Sequence, residues 1–260
     1  MKFIILGCGS SVGVPRPDGF FGNCNPNNKK NYRTRCSALI KTNDENILID
    51  TSPDLRQQML SQKIKKIDKV FYSHMHADQT HGINDMRGFF LSNKKKIPVY
   101  VDNYTKKYLL TSFGYCFDEE NFKERKGYPP ILELKKLKSI MEFGNKKNKL
   151  KIRSIPVKHG NIDCMSFVIN DKLAYASDIS EFYSKDFNFF KKLNYLVIDC
   201  LRYEPHPSHF NLVNVLNLLN VLKPKKTILT NLGVEIDYNE IKKKLPKNVI
   251  PAYDGLSIEL

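Results

Sequence analysis

No two cysteines stand at C-x-x-C spacing, and no apolar run approaches the roughly 18 residues that cross a bilayer. Acidic residues are outnumbered 27 to 42 by lysine and arginine. Each shortage excludes something. Without a membrane-length run, no membrane partner is expected. The apolar run at the start covers only residues 3–6, too short for the core of a secretory signal. The opening MKFIILGCGSSVGVP therefore reads as a first strand running into a glycine turn. The six cysteines, Cys8, Cys24, Cys36, Cys116, Cys164 and Cys200, are scattered through the chain. Scattered cysteines in a chain of this length do not make a disulfide framework, so reduced thiols and a cytoplasmic location are expected. The shortage of acids leaves a net charge of +15. Such a charge attracts phosphates, in nucleic acid or in a small anion. The lysines, however, are spread through NKKK, KKLK, NKKNKLK and IKKKLPK, with no aromatic interleaving to mark a base-stacking surface. The charge reads first as general composition and only second as polyanion binding.

What is present is a regular succession of short apolar runs. At 260 residues and 41% hydrophobic content the chain can build a sizeable core. The pattern predicts strands over 2–6, 37–41, 47–50, 69–73, 98–101, 150–156, 165–170, 173–177, 195–199, 227–230 and 256–260. Helices are expected over 53–62 behind a Ser52 cap, and over 78–91, 105–113, 185–193, 212–222 and 238–245. Strands dominate both halves and helices separate the later ones. That order suggests layered α/β, two sheets packed together with helices outside. No linker or fixed-period repeat divides the chain, so 1–260 is read as one domain. Residues 116–149, with KGYPP, charge runs and Gly144, read as a loop-rich insertion.

Three of the six histidines crowd into FYSHMHADQTHGINDMR: His74, His76 and His81, with Asp78 among them. Two imidazoles two residues apart, between a β-branched strand and a helix, can reach one metal ion. Asp78 at the helix start can turn toward a second ion or a water. His159 in PVKHGNI, Asp178 in LAYASDIS and His209 in PHPSHF also lie where strands give way to loops. Open α/β architectures place chemistry there. Read singly, His159 is also compatible with an exposed loop residue and Asp178 with a helix cap. The glycines of GCGSSVG are spaced G-x-G-x-x-x-G, which misses the dinucleotide-binding fingerprint.

Taken in order, the blocks LGCGSSVGVPRP, RTRCSALI, ILIDTSPDLRQQ, SHMHADQTHGINDMR, PVKHG, YASDIS, VIDCLRYEPHPSHFNL, ILTN and YDGLSIEL resemble the metallo-β-lactamase superfamily. Within it they are most similar to the phosphodiesterase branch, which holds tRNase Z and the phosphoribosyl 1,2-cyclic phosphate phosphodiesterases. The resemblance covers nearly the whole chain. It implies a four-layer αβ/βα sandwich with a metal site at one edge, and hydrolysis of a phosphodiester by metal-activated water. It implies His74, His76 and His159 as ligands of a first ion, Asp178 as a bridge, and Asp78 as a ligand of a second ion. His209 matches a histidine placed to contact the phosphate or protonate the leaving group, so Asp78 and His209 are the expected catalytic pair. Arg87 and Arg202 are candidate phosphate contacts, against the simpler reading of structural ion pairs.

Two positions depart from the family pattern. The motif usually reads H-x-H-x-D-H, and here its last residue is Gln79; a histidine expected after TILT is Asn231. Both replace imidazoles of the second site with amides, whose carbonyl oxygens are weaker ligands for zinc. One tightly held divalent ion, Zn or Mn, is therefore expected, with a second site weak or empty. His81 is read as a neighbour of that site, a hydrogen-bonding partner before a ligand. Cys24 stands alone where some relatives have a cluster, so no structural zinc is expected. The chain reads as a metal-dependent phosphodiesterase for a small cyclic or nucleotide-like substrate, with a homodimer compatible. Its rivals are a tRNase Z-type nuclease acting on RNA or DNA, and a non-hydrolytic metal-binding or regulatory member of the fold.

Overall fold

The computed structural model describes residues 1–117, 129–144 and 149–260. Alternation along the strands sets its layers. In β1 (Lys2–Gly7), Phe3 and Ile5 face one core while Ile4 and Leu6 face another, the period of two that a pleated strand imposes. The first sheet continues with β2 (Ser37–Lys41), β3 (Asn46–Ile49), β4 (Lys69–Phe71), β5 (Ile97–Val101) and β6 (Leu132–Lys136). The second is built from β7 (Ile140–Phe143), β8 (Leu150–His159), β9 (Ile162–Ile169), β10 (Leu173–Ala176), β11 (Glu181–Phe182), β12 (Tyr195–Asp199), β13 (Lys226–Thr230) and β14 (Val249–Pro251). The last strand, β15 (Leu256–Glu259), returns to the first sheet beside β1.

The order is β15-β1-β2-β3-β4-β5-β6 in one sheet and β11-β8-β9-β10-β12-β13-β14 in the other, with β7 on the far flank of β8. Each sheet is antiparallel at one end and parallel at the other: β3 to β6 run parallel, as do β10, β12, β13 and β14. The core between the sheets joins Phe3, Ile5, Ile47 and Phe71 to Phe167, Tyr175, Val197 and Ile228. Outside the first sheet, Leu39, Leu48 and Val70 pack with α1 (Leu55–Ser61), α3 (Met86–Asn93) and α4 (Asn103–Phe113) through Leu55, Met86 and Leu109. The single turn of α2 (Ala77–Thr80) lies between α1 and α3 in the chain. Outside the second sheet, Leu196, Ile198 and Leu229 pack with α5 (Leu212–Leu222) and α6 (Tyr238–Lys244) through Val215, Leu222 and Ile241. This is the layered α/β arrangement expected from the pattern, and the four-layer αβ/βα sandwich that the resemblance implies.

Several elements differ from expectation. The helix predicted over 78–91 is α2, a 3-10 turn at Ile83–Asp85 and α3. Gly82 stands at the break, where a Cβ would lie 1.9 Å from the Ser52 carbonyl oxygen. The chain must pass too close to Ser52 for a continuous helix. The helix expected over 185–193 is only a 3-10 turn, Phe187–Phe190. β6, β7, β11 and β14 were not anticipated. The first two fall within 116–149, so the described part of that segment is not simply loop. Its residues 118–128 and 145–148 lie outside the described ones. Among the described residues no helix is long and apolar enough to cross a membrane.

Candidate metal centre

The chain leaves both sheets at one edge, and the loops there carry the polar residues. After β4, Ser73 is pinned from both sides. Its N–H donates to Asp50 Oδ1 (2.7 Å) and its carbonyl accepts from Met165 N of β9 (2.8 Å). His74 follows directly. Its Nδ1 meets Ser73 Oγ at 3.0 Å, which leaves Nε2 turned inward. His76 opens α2, whose turn is tied to the loop after β3 by Thr51 N–H on the Gln79 carbonyl (2.8 Å) and Thr51 Oγ1 on the Thr80 carbonyl (3.0 Å). His159 is the last residue of β8, not a residue beyond the strand as expected. Its Nδ1 donates to the Ser208 carbonyl (2.7 Å), so its Nε2 carries the lone pair. Gly160 permits that approach, because a Cβ there would sit 2.8 Å from Ser208 Cβ at a φ of +61°.

Three imidazole nitrogens converge. His74 Nε2 lies 2.9 Å from His76 Nδ1, and His159 Nε2 lies 3.3 Å from the same atom. Burial pulls His74 down to about 3 and lowers His76 and His159 as well, so all three rings are neutral at physiological pH. The His159 lone pair is thus aimed at a cluster that burial keeps from binding protons. A divalent cation fits this set of donors. Bonds of about 2.0–2.1 Å in a tetrahedral site place neighbouring nitrogens about 3.3 Å apart.

Asp178 follows β10, is buried, and groups with His159 and His209, their ligand atoms all within 4.8 Å of one another. His159 thus belongs to both clusters. Asp178 is further held by two amides: Gln79 Nε2 donates to its Oδ2 (3.3 Å) and Asn231 Nδ2 to its Oδ1 (3.2 Å). Gln79 Nε2 also donates to Asp78 Oδ2 (3.0 Å). Burial alone would raise the Asp178 carboxyl, but the surrounding histidines hold it below the usual carboxylate range. Asp78 is pushed up to about 7, first by burial and then by the charge of Asp178.

His209 closes the far side, its ring 4.6 Å from that of His159. Its Nδ1 donates to Asp199 Oδ2 (2.7 Å), a fully buried carboxylate at the end of β12. Burial opposes a charge on His209, yet the charge and hydrogen bond of Asp199 raise it to about 9. His206 stands beside it, ring to ring at 5.0 Å, and accepts from the Ser208 N–H (3.3 Å) through Nδ1. Neither Asp199 nor His206 was singled out in the sequence. A strand-end aspartate ten residues before a histidine is the only trace of the first, and the Ser208 carbonyl that sets the His159 tautomer leaves none.

Three further expected residues have these partners. His81 caps the end of α2, is exposed, and bonds Tyr108 Oη (2.9 Å) over the Phe113 ring. Arg202 donates to the carbonyls of Pro205 (2.6 Å) and Glu204 (3.3 Å), so it shapes the loop that bears His206 and His209. Arg87 donates to the Pro129 carbonyl (3.3 Å). Cys24 is buried, with its thiol against the carbonyls of Val234 (3.3 Å) and Ile236 (3.2 Å).

Comparison with known proteins places this geometry. Residues 45–230 match the model of the β-lactamase superfamily domain. An octanoyltransferase of Porphyromonas gingivalis is 28% identical over 261 residues, 98% of this chain and 51% of that protein. The chain therefore spans about half the length of this curated relative. Among solved structures, a diphosphatase from the PhnP family superposes with a TM-score of 0.85 at 27% identity, covering 100% of this chain and 97% of that one. Zinc-bound PqqB from Methylobacterium extorquens gives 0.71 at 14% identity, with 100% of both chains covered. Human tRNase Z, short form, gives 0.68 at 13%, covering 100% of this chain and 99% of that one. The last two likenesses are of fold.

Proposed function

The chain belongs to the β-lactamase superfamily, and from that premise we propose that it is a metal-dependent hydrolase acting on a small, nucleotide-like phosphodiester. The observation that carries the reading is the convergence of His74, His76 and His159 beside the Asp199–His209 pair: a cation cradle next to a proton donor. One tightly held Zn or Mn ion is proposed in the cradle. When bound, such an ion supplies a Lewis acid and lowers the pKa of coordinated water toward neutrality.

The chain's own groups do the rest. His74, His76 and His159 offer neutral nitrogens, with His159 oriented by the Ser208 carbonyl. Asp178 orients the attacking water, and Asp78 takes its proton. Asp199 fixes His209 with its Nδ1–H engaged and favours the imidazolium. His209 Nε2–H then faces the leaving oxygen and protonates it as the P–O bond breaks. His206, its ring 5.0 Å from that of His209, offers the same phosphate a second imidazole.

A diphosphate linkage is the second reading, favoured by the 27% identity and 0.85 TM-score of the PhnP-family diphosphatase. Turnover of bis-p-nitrophenyl phosphate, a 2′,3′-cyclic nucleotide, a nucleoside diphosphate and a structured RNA, each at low and high salt, separates these. Hydrolysis of the small diesters with little salt dependence is expected. Preference for the nucleoside diphosphate would move the assignment to the second reading. RNA cleavage that falls steeply with salt would replace both with a nuclease.

A further inference from the structure

Asp78 and Asp178 turn carboxylate oxygens toward one point, and that point is occupied by the side-chain nitrogen of Gln79, 3.0 Å from one and 3.3 Å from the other. Two converging carboxylates are the setting in which a cation would be held. Here an uncharged N–H₂ group stands in it.

We infer that Gln79 and Asn231 act as hydrogen-bond donors that take the place of a second cation between Asp78 and Asp178, so that the centre is built for a single ion. The inference rests on the proposed reading of the site as a metal centre. Which end of each amide faces the site is set by its neighbours. Around Gln79, 0% exposed, both neighbours are carboxylate oxygens. Turning the amide oxygen toward them would oppose acceptor to acceptor. Asn231, 2% exposed, has its Nδ2 3.0 Å from the Ser177 carbonyl and 3.2 Å from Asp178 Oδ1, both acceptors, and 3.2 Å from His209 Nδ1, whose own hydrogen is engaged by Asp199 Oδ2. Each N–H₂ has two hydrogens and each finds two acceptors. Neither amide has donor capacity left, and neither presents its carbonyl to the carboxylates.

The backbone keeps both amides in place. Asn231 sits at a φ of 58°, a left-handed conformation that asparagine tolerates better than most residues. The next residue is tied to the chain just after β1 by Leu232 N–H on the Cys8 carbonyl (2.8 Å). Gln79 is anchored through its own carbonyl by Thr51 N–H (2.8 Å). The Gln79 Oε1 is buried without a partner among the described residues. The side chain thus leaves its acceptor unpaired while its donors serve the two carboxylates. To admit a second ion on amide oxygens, both side chains would have to rotate, and the Ser177 carbonyl would lose the Asn231 donor.

The amides act here as positioning residues, and the test reads metal content and spectra instead of turnover. Wild-type protein is dialysed against zinc, then against metal-free buffer, and analysed for metal; a parallel sample is loaded with ¹¹³Cd for NMR. One ion per chain, a single cadmium resonance, and persistent side-chain N–H₂ signals of Gln79 and Asn231 in the loaded protein are expected. The double variant Gln79→His with Asn231→His is expected to hold two ions. Two tightly held ions or two cadmium resonances in the wild type would overturn the inference and leave the metal-centre reading intact. A wild type that holds no ion would overturn that reading, and the inference with it. The wild-type spectra decide even where the double variant does not fold.

Discussion

At the scale of single residues, the site divides into groups whose chemistry is spelled by their type and groups whose role is made only by folding. His74, His76 and Asp78 were legible because their spacing survives any local conformation. Asp199 was not, because its partner His209 comes back to it only after a loop shaped by Arg202. The amides of Gln79 and Asn231 were legible as departures, but not their orientation, which depends on the Ser177 and Asp178 oxygens around them. His209 shares a 4.8 Å cluster with His159 and Asp178, so its role can be tested against that of a ligand. His209→Ala is expected to leave metal content unchanged and to lower turnover by roughly 10²–10⁴. Elemental analysis of the variant decides: loss of the ion would make His209 a ligand. A second residue far from the centre reports on pH. Asp254 accepts from Cys8 N (3.1 Å), Thr34 N (2.7 Å) and Thr34 Oγ1 (2.6 Å), yet burial pushes its carboxyl up to about 6 from 3.8. A carboxyl raised in the folded state binds its proton more tightly there. Its contribution to stability is therefore fully present below pH 3.8 and lost as pH rises through about 6. The loss is roughly 3 kcal/mol for a shift of about two units. Asp254→Asn should flatten the difference in unfolding free energy between pH 4 and pH 6. An unchanged difference, measured by urea unfolding at the two pH values, would show that the hydrogen bonds cancel the effect of burial on this group.

At the scale of elements, the strands that deliver the site were read well and the helix that follows it was not. β4, β10, β12 and β13 are short and largely apolar, and each stops within three residues of a polar group of the site. The predicted 78–91 helix failed at Gly82, because apolar spacing cannot register that the Ser52 carbonyl lies against its backbone. β11 and β14 escaped because two or three residues carry too little pattern. That close approach carries a prediction of its own. Gly82→Ala drives a Cβ to within 1.9 Å of the Ser52 oxygen, so the backbone of α2 must shift, and His76 and Asp78 with it. A loss of about 1–3 kcal/mol in denaturant unfolding is expected, together with weaker metal retention. Normal retention at normal stability would mean that the turn is soft enough to move without disturbing the ligands.

At the scale of the whole molecule, the layers followed from alternation alone, since Phe3 and Ile5 or Val197 and Ile228 can bury only between two sheets. The edge at which chemistry would sit was also legible, because His74 and His76, His159, Asp178 and His209 all lay where a strand gave way to a loop. What could not be read was that the cradle joins the sheets: His74 and His76 follow a strand of the first, His159 ends a strand of the second. An ion held by all three links the two halves of the sandwich. By linkage, an ion at 100 times its dissociation constant stabilises the fold by about 2.7 kcal/mol. The melting temperature of the wild type should therefore rise with added zinc or manganese, and that of His159→Ala should not. Equal rises in the two proteins would place the stabilising ion elsewhere. The central claim is that one ion in this cradle makes the protein a hydrolase. Its most direct test is a titration of turnover. Protein stripped with chelator is assayed on bis-p-nitrophenyl phosphate while zinc or manganese is added back in fractions of an equivalent. Activity should vanish on stripping and return in proportion to added ion, reaching its plateau at one equivalent per chain; turnover that survives stripping, or none at any loading, would contradict it.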